Sequence, residues 1–441
     1  MTSARRPSLL MLGSDRYAMR ACLAHGIDAV VVWGPGGRDN GFVPVPTGLL
    51  ALPVDDQSSV EAIMMALYRA GLGEHRFDGI QTTDEWAMVA GSVLAPHLGC
   101  EFLDPATAVH FRDKSLQKRR VREAGLRAAR VTVIDDIHDV SGLAALPYPR
   151  AVLKPVAGAA TTRTSVVSSL AGLRAISDSY RREQSRQRTF ALEEFMTGDE
   201  WVADGWVFDG ELEFCSLGSY ANPCLSTVDG GLPLSIRRFD PDRDQDAYER
   251  AQPVVRAALR ALGLRSGVFH MELFHDPATG EITFSECAAR RGGALVHEEL
   301  QAKFGVNLGE AAVLAAIGQR PDPAVKTDPR VIGGGYLLGG PGTLMRCPTP
   351  AEITAQPGVL FARVERPYGT HLTGGVTGTN DRIAQCLIAA DDEDEFASRL
   401  AEVRAWFGDQ VLVIPDGANR DRRDWQRRTW PDADFGDTMW G

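Results

Sequence analysis

The chain has little that would tie it to an oxidising compartment, a zinc framework or a polyanion. Its seven cysteines, Cys22, Cys100, Cys215, Cys224, Cys287, Cys347 and Cys386, are odd in number and scattered, with no CxxC pair. That pattern excludes a disulfide framework and a zinc signature. No apolar run approaches the length of a membrane span, and no charged, apolar and small-residue leader opens the chain. A membrane is therefore not an expected partner, and a reducing cytoplasm is the expected compartment. A basic surplus is missing too: 47 Lys and Arg stand against 58 Asp and Glu, a net charge of −11, which argues against nucleic acid as a partner. GxGxxG is also absent after the first apolar strand, so no dinucleotide site is expected there. What is present is an ordinary globular composition, 44% hydrophobic and 24% charged over 441 residues. This length predicts several structural units, each with a core of its own.

The first hundred residues alternate strand and helix. Leu9 to Gly13 reads as a buried strand, Arg16 to His25 as a helix, and Ala29 to Trp33 as a second strand, with the alternation continuing through Gly79 to Leu98. This predicts a small doubly wound α/β domain. A charged helix over Arg112 to Ala124 begins at Asp113-Lys114, and alone that pair reads as a solvated helix end. An apolar strand, Ala151 to Pro155, carries Lys154 near its end and runs into small residues around Gly158. Such a loop suits a phosphate as well as it suits a plain hairpin.

Two further stretches carry chemistry. Phe190 to Met196 is an apolar strand interrupted by Glu193 and Glu194, with Glu200 following. Gly267 to Gly293 reads as a hairpin that turns at Asp276-Pro277-Ala278-Thr279-Gly280 and brings Glu272 opposite Glu286, with Arg290 four residues on. Paired carboxylates are the hard-oxygen arrangement that Mg²⁺ takes alongside substrate phosphates. The residues alone fit a hairpin with exposed acids equally well.

In order, a lysine after the first domain, a lysine before a small-residue loop, Glu-Glu-x-Met-x-Gly-x-Glu and Glu…Glu-x-x-x-Arg resemble the ATP-grasp superfamily. The resemblance covers roughly Leu9 to Pro321. It implies an α/β chain with the ATP-grasp fold: a doubly wound pre-ATP-grasp domain (1–110), linker helices (111–150) and an α+β lid (151–220). A metal-bearing subdomain (221–320), an added β-rich covering subdomain (321–425) and a tail (426–441) would follow. It also implies ATP as cofactor with two Mg²⁺ ions, Mn²⁺ being an alternative. Lys114 and Lys154 would contact the phosphates, Glu193 the adenine amino group, and Glu194, Phe195 and Met196 the ring edge. Glu200 would hold the ribose, Glu272 and Glu286 the metals, and Arg290 the charge on an acyl phosphate.

The chain departs from that pattern at Ala288, where the family commonly has a metal-supporting asparagine, and in the loop holding Thr161, Thr162 and Arg163, where many members have more glycine. For the substrates, Arg237, Arg238, His270, Arg291, Gly292 and His297 are the candidate contacts; surface arginines and packed histidines are the competing reading. The implied activity joins a small carboxylic acid, an amino acid foremost, to an amine, with a homodimer as the family's usual assembly. A carboxyphosphate- or formyl-phosphate-forming relative and a nucleotide-binding protein without ligation are the other two expectations.

Overall fold

The computed structural model describes residues 5–34, 43–225, 232–372 and 382–415. The expected tail, 426–441, lies outside them. In the N-terminal unit the strands β1 (Ser8–Leu12), β2 (Asp28–Trp33), β3 (Leu50–Pro53) and β4 (Gly79–Thr82) form a parallel sheet in the order β3-β2-β1-β4. Every residue of β1 is buried, as a parallel strand covered on both faces requires. One face packs on helices α2 (Val60–Arg69) and α3 (Met88–Leu98), the other on α1 (Arg16–Ala24). The expected doubly wound domain is present, and the edge strand β3 is an addition to it.

The lid is a four-stranded antiparallel sheet in the order β5-β8-β6-β7. Its strands are β5 (Val131–Ile134), β6 (Ala151–Pro155), β7 (Ser165–Val167) and β8 (Phe190–Glu194). Helix α6 (Leu170–Arg182) closes a core of its own with Leu153, Leu173, Phe190 and Leu192. Strand membership divides the chain differently from the expectation. Val131–Ile134, expected in the linker, pairs with β8 inside the lid. The hairpin of β9 (Asp199–Phe208) and β10 (Glu211–Tyr220), expected in the lid, belongs to a different sheet.

That second sheet has eight antiparallel strands in the order β13-β12-β9-β10-β11-β14-β18-β16. It comprises β11 (Ser235–Arg238), β12 (Gly267–His275), β13 (Ile282–Ala288), β14 (Val331–Leu337), β16 (Val359–Val364) and β18 (Ala384–Ala390) besides β9 and β10. The region expected as an added covering subdomain thus extends the main sheet through β14, β18 and β16. Besides two helices, Pro350–Thr354 and Glu393–Gln410, it adds a small sheet of β15 (Gly342–Arg346), β17 (His371–Leu372) and β19 (Leu412–Ile414). Helix α7 (Gln245–Leu262) lays Val255, Ala258, Leu259 and Leu262 on Phe269, Met271 and Phe284 of the hairpin. Helices α8 (Val296–Phe304) and α9 (Leu308–Ala316) follow, and α9 reaches back to the N-terminal sheet. A Cβ on Gly79 would lie 1.8 Å from the Ala316 carbonyl oxygen, so glycine is what permits that seam. Among the described residues no helix is long and apolar enough to cross a membrane.

Strand β11 decides the fate of two candidate substrate contacts. Successive side chains of a strand point to opposite faces, so Arg237 and Arg238 separate. Arg238 is fully buried between Asp204 (Nη1 to Oδ2, 2.8 Å) and Glu299 (Nε to Oε2, 2.7 Å). Arg237 turns to the other face, over the Phe239 ring and within 2.6 Å of Glu393. Neither lines the cavity described below; both are structural, and the expectation for them is corrected. Removing one partner of a buried ion network leaves charges without compensation, at about 3–5 kcal/mol. Arg238→Ala is therefore expected to destabilise the chain by about that much, measured by denaturant unfolding, whereas Arg237→Ala should cost under about 1 kcal/mol.

Candidate active site

The hairpin of β12 and β13 forms the floor. Asp276 accepts from the Ala278 N–H at 2.8 Å and its carbonyl from the Gly280 N–H at 2.7 Å, with Gly280 at φ 72°. The turn fixes the register, and Glu272 lies directly opposite Glu286. A bulge follows at once, Leu273 pairing with Phe284. Ser285 is the extra residue, the kind of irregularity that re-aims side chains beside functional sites. Both glutamates line a cavity of about 810 Å³ between the lid and the large sheet.

Two like charges this close need cations. Lys154 reaches Glu286 at 3.1 Å and Glu193 at 3.1 Å; Lys114 reaches Glu286 at 3.3 Å; Lys118 reaches Glu193 at 3.0 Å. Asp113 caps helix α5 (Lys114–Glu123) by accepting from the Ser115 and Leu116 N–H groups, and Lys114 and Lys118 leave the same face one turn apart. Burial opposes the charged form of Glu286, but Lys114 and Lys154 outweigh it and hold the carboxyl well below its usual range. For Glu272, burial and then Glu286 push the carboxyl up to about 7. Burial likewise brings Lys118 down to about 8 against the pull of Glu193.

A second cluster joins the N-terminal unit to the hairpin. Glu85, in the one-turn helix after β4, accepts from Arg290 (Nη2 2.6 Å, Nε 3.2 Å) and from Arg112 (Nη1, 2.6 Å). Burial is offset by Arg290, Lys114 and Arg112, which keep the Glu85 carboxyl low. Three lysines meet three carboxylates, Glu193, Glu272 and Glu286, in the first cluster, and two arginines meet one carboxylate in this one. The arginine surplus suits an anion brought to it.

The other expected residues distribute as follows. Phe195 and Met196 line the cavity at the end of β8; the Phe195 N–H donates to the Arg150 carbonyl, and the Arg150 guanidinium lies 3.7 Å above the Phe195 ring. Glu194 also lines the cavity and pairs with Arg130 at 3.0 Å. Glu193, expected at an adenine amino group, is instead held by two lysines. Glu200 is half-buried and accepts from the Cys224 N–H at 2.9 Å, desolvation raising its pKa. His270 lines the cavity, its Nδ1 2.7 Å from Asp204. Its imidazolium is favoured by Asp204 against the opposing effect of burial. Gly292 sits against the same pair: a Cβ there would meet His270 at 2.8 Å and Asp204 at 2.9 Å.

Arg291 reaches the cavity but is clamped by Asp15 at 2.5 and 2.8 Å. His297 does not line the cavity; it stacks on Tyr17 with ring centroids 3.4 Å apart, and burial drives its pKa down to about 3. It is a packed neutral histidine, and its expectation as a substrate contact is corrected. Arg163 turns away to Glu183 at 3.5 Å. Among the cavity residues that the sequence reading did not single out, three stand beside the charged groups or the opposite wall: Lys118, Glu85 and Tyr336. Lys118 was discoverable from its spacing of four from Lys114 and Glu85 from its place just past a parallel strand's C-terminal end; Tyr336 carried no signal.

Among the described residues no group of three or more His, Cys, Asp or Glu is arranged to hold a metal. Glu272 and Glu286 nonetheless fit Mg²⁺, which is commonly bound by one or two carboxylates and completed by water and substrate phosphates. Ala288, opposite His270 and lining the cavity, supplies no third ligand.

No family model matches the chain. The L-arginine-specific L-amino acid ligase of Bacillus subtilis is 21% identical over 358 residues, covering 80% of this chain and 84% of that protein. In solved structures, an L-amino acid ligase from Bacillus licheniformis superposes with a TM-score of 0.73 at 18% identity, over 94% of this chain and all of the other. The biotin carboxylase domain of a 2-oxoglutarate carboxylase from Hydrogenobacter thermophilus, complexed with MgADP, ADP and bicarbonate, superposes at 0.65 and 15% identity over 97% of this chain and 98% of that one. With its lid sheet, its large antiparallel sheet and the cavity between them, the chain has the ATP-grasp fold.

Proposed function

We propose that the chain is an ATP-dependent carboxylate–amine ligase. It activates a small carboxylic acid, an amino acid foremost, as an acyl phosphate and joins it to an amine, releasing ADP and phosphate. The observation that carries this reading is the pairing of Glu272 with Glu286 beneath Lys114, Lys118 and Lys154 in one cavity. The similarity to L-amino acid ligases over most of both chains supports it.

In this reading Lys114 and Lys154 exchange Glu286 for the nucleotide's phosphates, and the backbone at Glu194 to Met196 meets the adenine edge. Glu193 holds Lys118 and Lys154 in place, while Glu200 accepts from the ribose. Glu272 and Glu286 hold two Mg²⁺ ions, or Mn²⁺ in their place, which when bound neutralise phosphate charge. The substrate carboxylate oxygen attacks the γ-phosphorus, and ADP leaves. The amine nitrogen then adds to the acyl carbon, and the tetrahedral oxyanion and departing phosphate face Arg290. Preorganised cations aimed where charge develops are the main source of such catalysis, and the lid keeps water from the acyl phosphate. With Ala288 where the family pattern has an asparagine, a second ion would have one protein ligand fewer. The seven free thiols suit a reducing cytoplasm.

The second reading is carboxyphosphate formation, favoured by the bicarbonate named with the carboxylase domain above. ADP release measured with pairs of amino acids, with mass spectrometry of the product, tests the ligase. Release driven by bicarbonate alone would select the second reading, and ATP binding without turnover on any acid would select a non-ligating protein.

Loss of Arg290 should leave ATP affinity within a few-fold and lower kcat by about 10²–10³-fold, the usual effect of removing one oxyanion donor; full activity in Arg290→Ala would sink its role. Lys154→Ala should instead weaken ATP binding by about 10-fold or more, read by calorimetry. Glu272→Gln separates stability from metal binding. A carboxyl whose pKa rises on folding costs stability above that raised pKa and nothing below the unfolded value. Without metal, the variant should therefore be more stable than the parent by on the order of 2 kcal/mol at pH 8 and equal to it near pH 4. Its Mg²⁺ affinity should fall at both.

A further inference from the structure

We infer that the carboxylic acid taken by this site carries an apolar side chain, aliphatic or aromatic, seated on a wall of Tyr220, Leu234, Ile236 and Tyr336; the inference rests on the ligase reading above. The wall is built by three neighbouring strands. Tyr220 of β10 lies opposite Ile236 of β11, and the Tyr336 N–H on β14 donates to the Leu234 carbonyl at 2.8 Å. Alternation sends Leu234 and Ile236 to the face that Arg237 avoids. All four side chains line the cavity, and Leu234, Ile236 and Tyr336 are at most 7% exposed. Tyr220, Leu234 and Tyr336 close with Cys224 into one apolar cluster. Tyr220 also lies near enough to Glu272 for that carboxylate to help raise its pKa, behind burial and Cys224. The wall is therefore next to the reacting centre.

Charge completes the argument. Glu85 faces Arg112 and Arg290, Glu193 faces Lys118 and Lys154, Glu194 faces Arg130, and Glu286 faces Lys114 and Lys154. Glu200 is assigned to the ribose and Glu272 to the metal. Among the described lining residues, no carboxylate is left to neutralise a basic side chain on this wall. Arginine, named as the substrate of the Bacillus subtilis relative, would bring a cation to an apolar surface without a counter-charge, which is strongly unfavourable. An acidic side chain would face Glu272.

The test measures binding and turnover separately. The protein holding ADP and Mg²⁺ is titrated with L-leucine, L-phenylalanine, L-arginine and L-glutamate and followed by calorimetry. Leucine or phenylalanine should bind about 10-fold or more tighter than arginine or glutamate, the range expected for burying one apolar side chain. Leu232, 44% exposed at the cavity mouth, offers a variant that spares the core: Leu232→Glu should raise arginine binding by about 10-fold. Arginine or glutamate binding as tightly as leucine to the unaltered protein, or no binding by any of the four, overturns the inference. An apolar preference in binding without ADP release for any acid and amine keeps the wall's role and removes the ligase reading. ADP release driven best by charged acids does the reverse.

Discussion

Two carboxylates cannot share a buried surface unless something else supplies positive charge, and most of this structure answers that constraint. Glu272 and Glu286 are fixed opposite one another by a hairpin whose register allows no escape. The compensation comes from elsewhere: Lys114 and Lys118 from a helix that the N-terminal unit delivers, Lys154 from the lid. Three separate pieces of chain must therefore meet for the pair to be tolerated. The lysines hold Glu286 ionised, and the repulsion that remains falls on Glu272. A cation bound between the two would relieve that repulsion.

The same logic runs across the seam between the N-terminal unit and the large sheet. Glu85 holds Arg290 and Arg112 together, and Asp15 holds Arg291. The arginines that follow β13 are thus oriented by acids some two hundred residues or more earlier in the chain. Helix α9 locks the arrangement from behind, close enough that Gly79 and Gly309 must lack side chains. Position of the Arg290 guanidinium is then a property of domain packing as much as of the hairpin.

Much of this was legible in the sequence, and the failures are instructive. The hairpin, its turn and the opposed glutamates followed from local signals: an Asp-Pro-x-x-Gly turn between alternating runs fixes which residues face each other. The lysine-bearing strand and helix were equally local. Sheet membership was not, because pairing partners are set by the whole chain. Hence Val131–Ile134 fell in the wrong unit and the hairpin of β9 and β10 was taken for part of the lid. Arg237 and Arg238 were grouped because they are adjacent, although strand alternation sends neighbours apart. His297 looked available until Tyr17, 280 residues away, was seen to cover it. Buried pairs across such separations leave no trace in a single sequence.

The continuity of the large sheet bears on how the chain can be divided. Strands β14, β18 and β16 hydrogen-bond onward from β11, so the last quarter of the described chain is joined to the site by a backbone ladder and not merely laid over it. Cutting the chain near Pro321 would strip β11 of its partner and leave a row of bare N–H and C=O groups beside the apolar wall, an invitation to pair with another molecule. A boundary drawn by analogy with a detachable lid would yield an aggregating fragment. The C-terminal region shares one sheet with the hairpin of β12 and β13, and any shortened or fused form has to keep both.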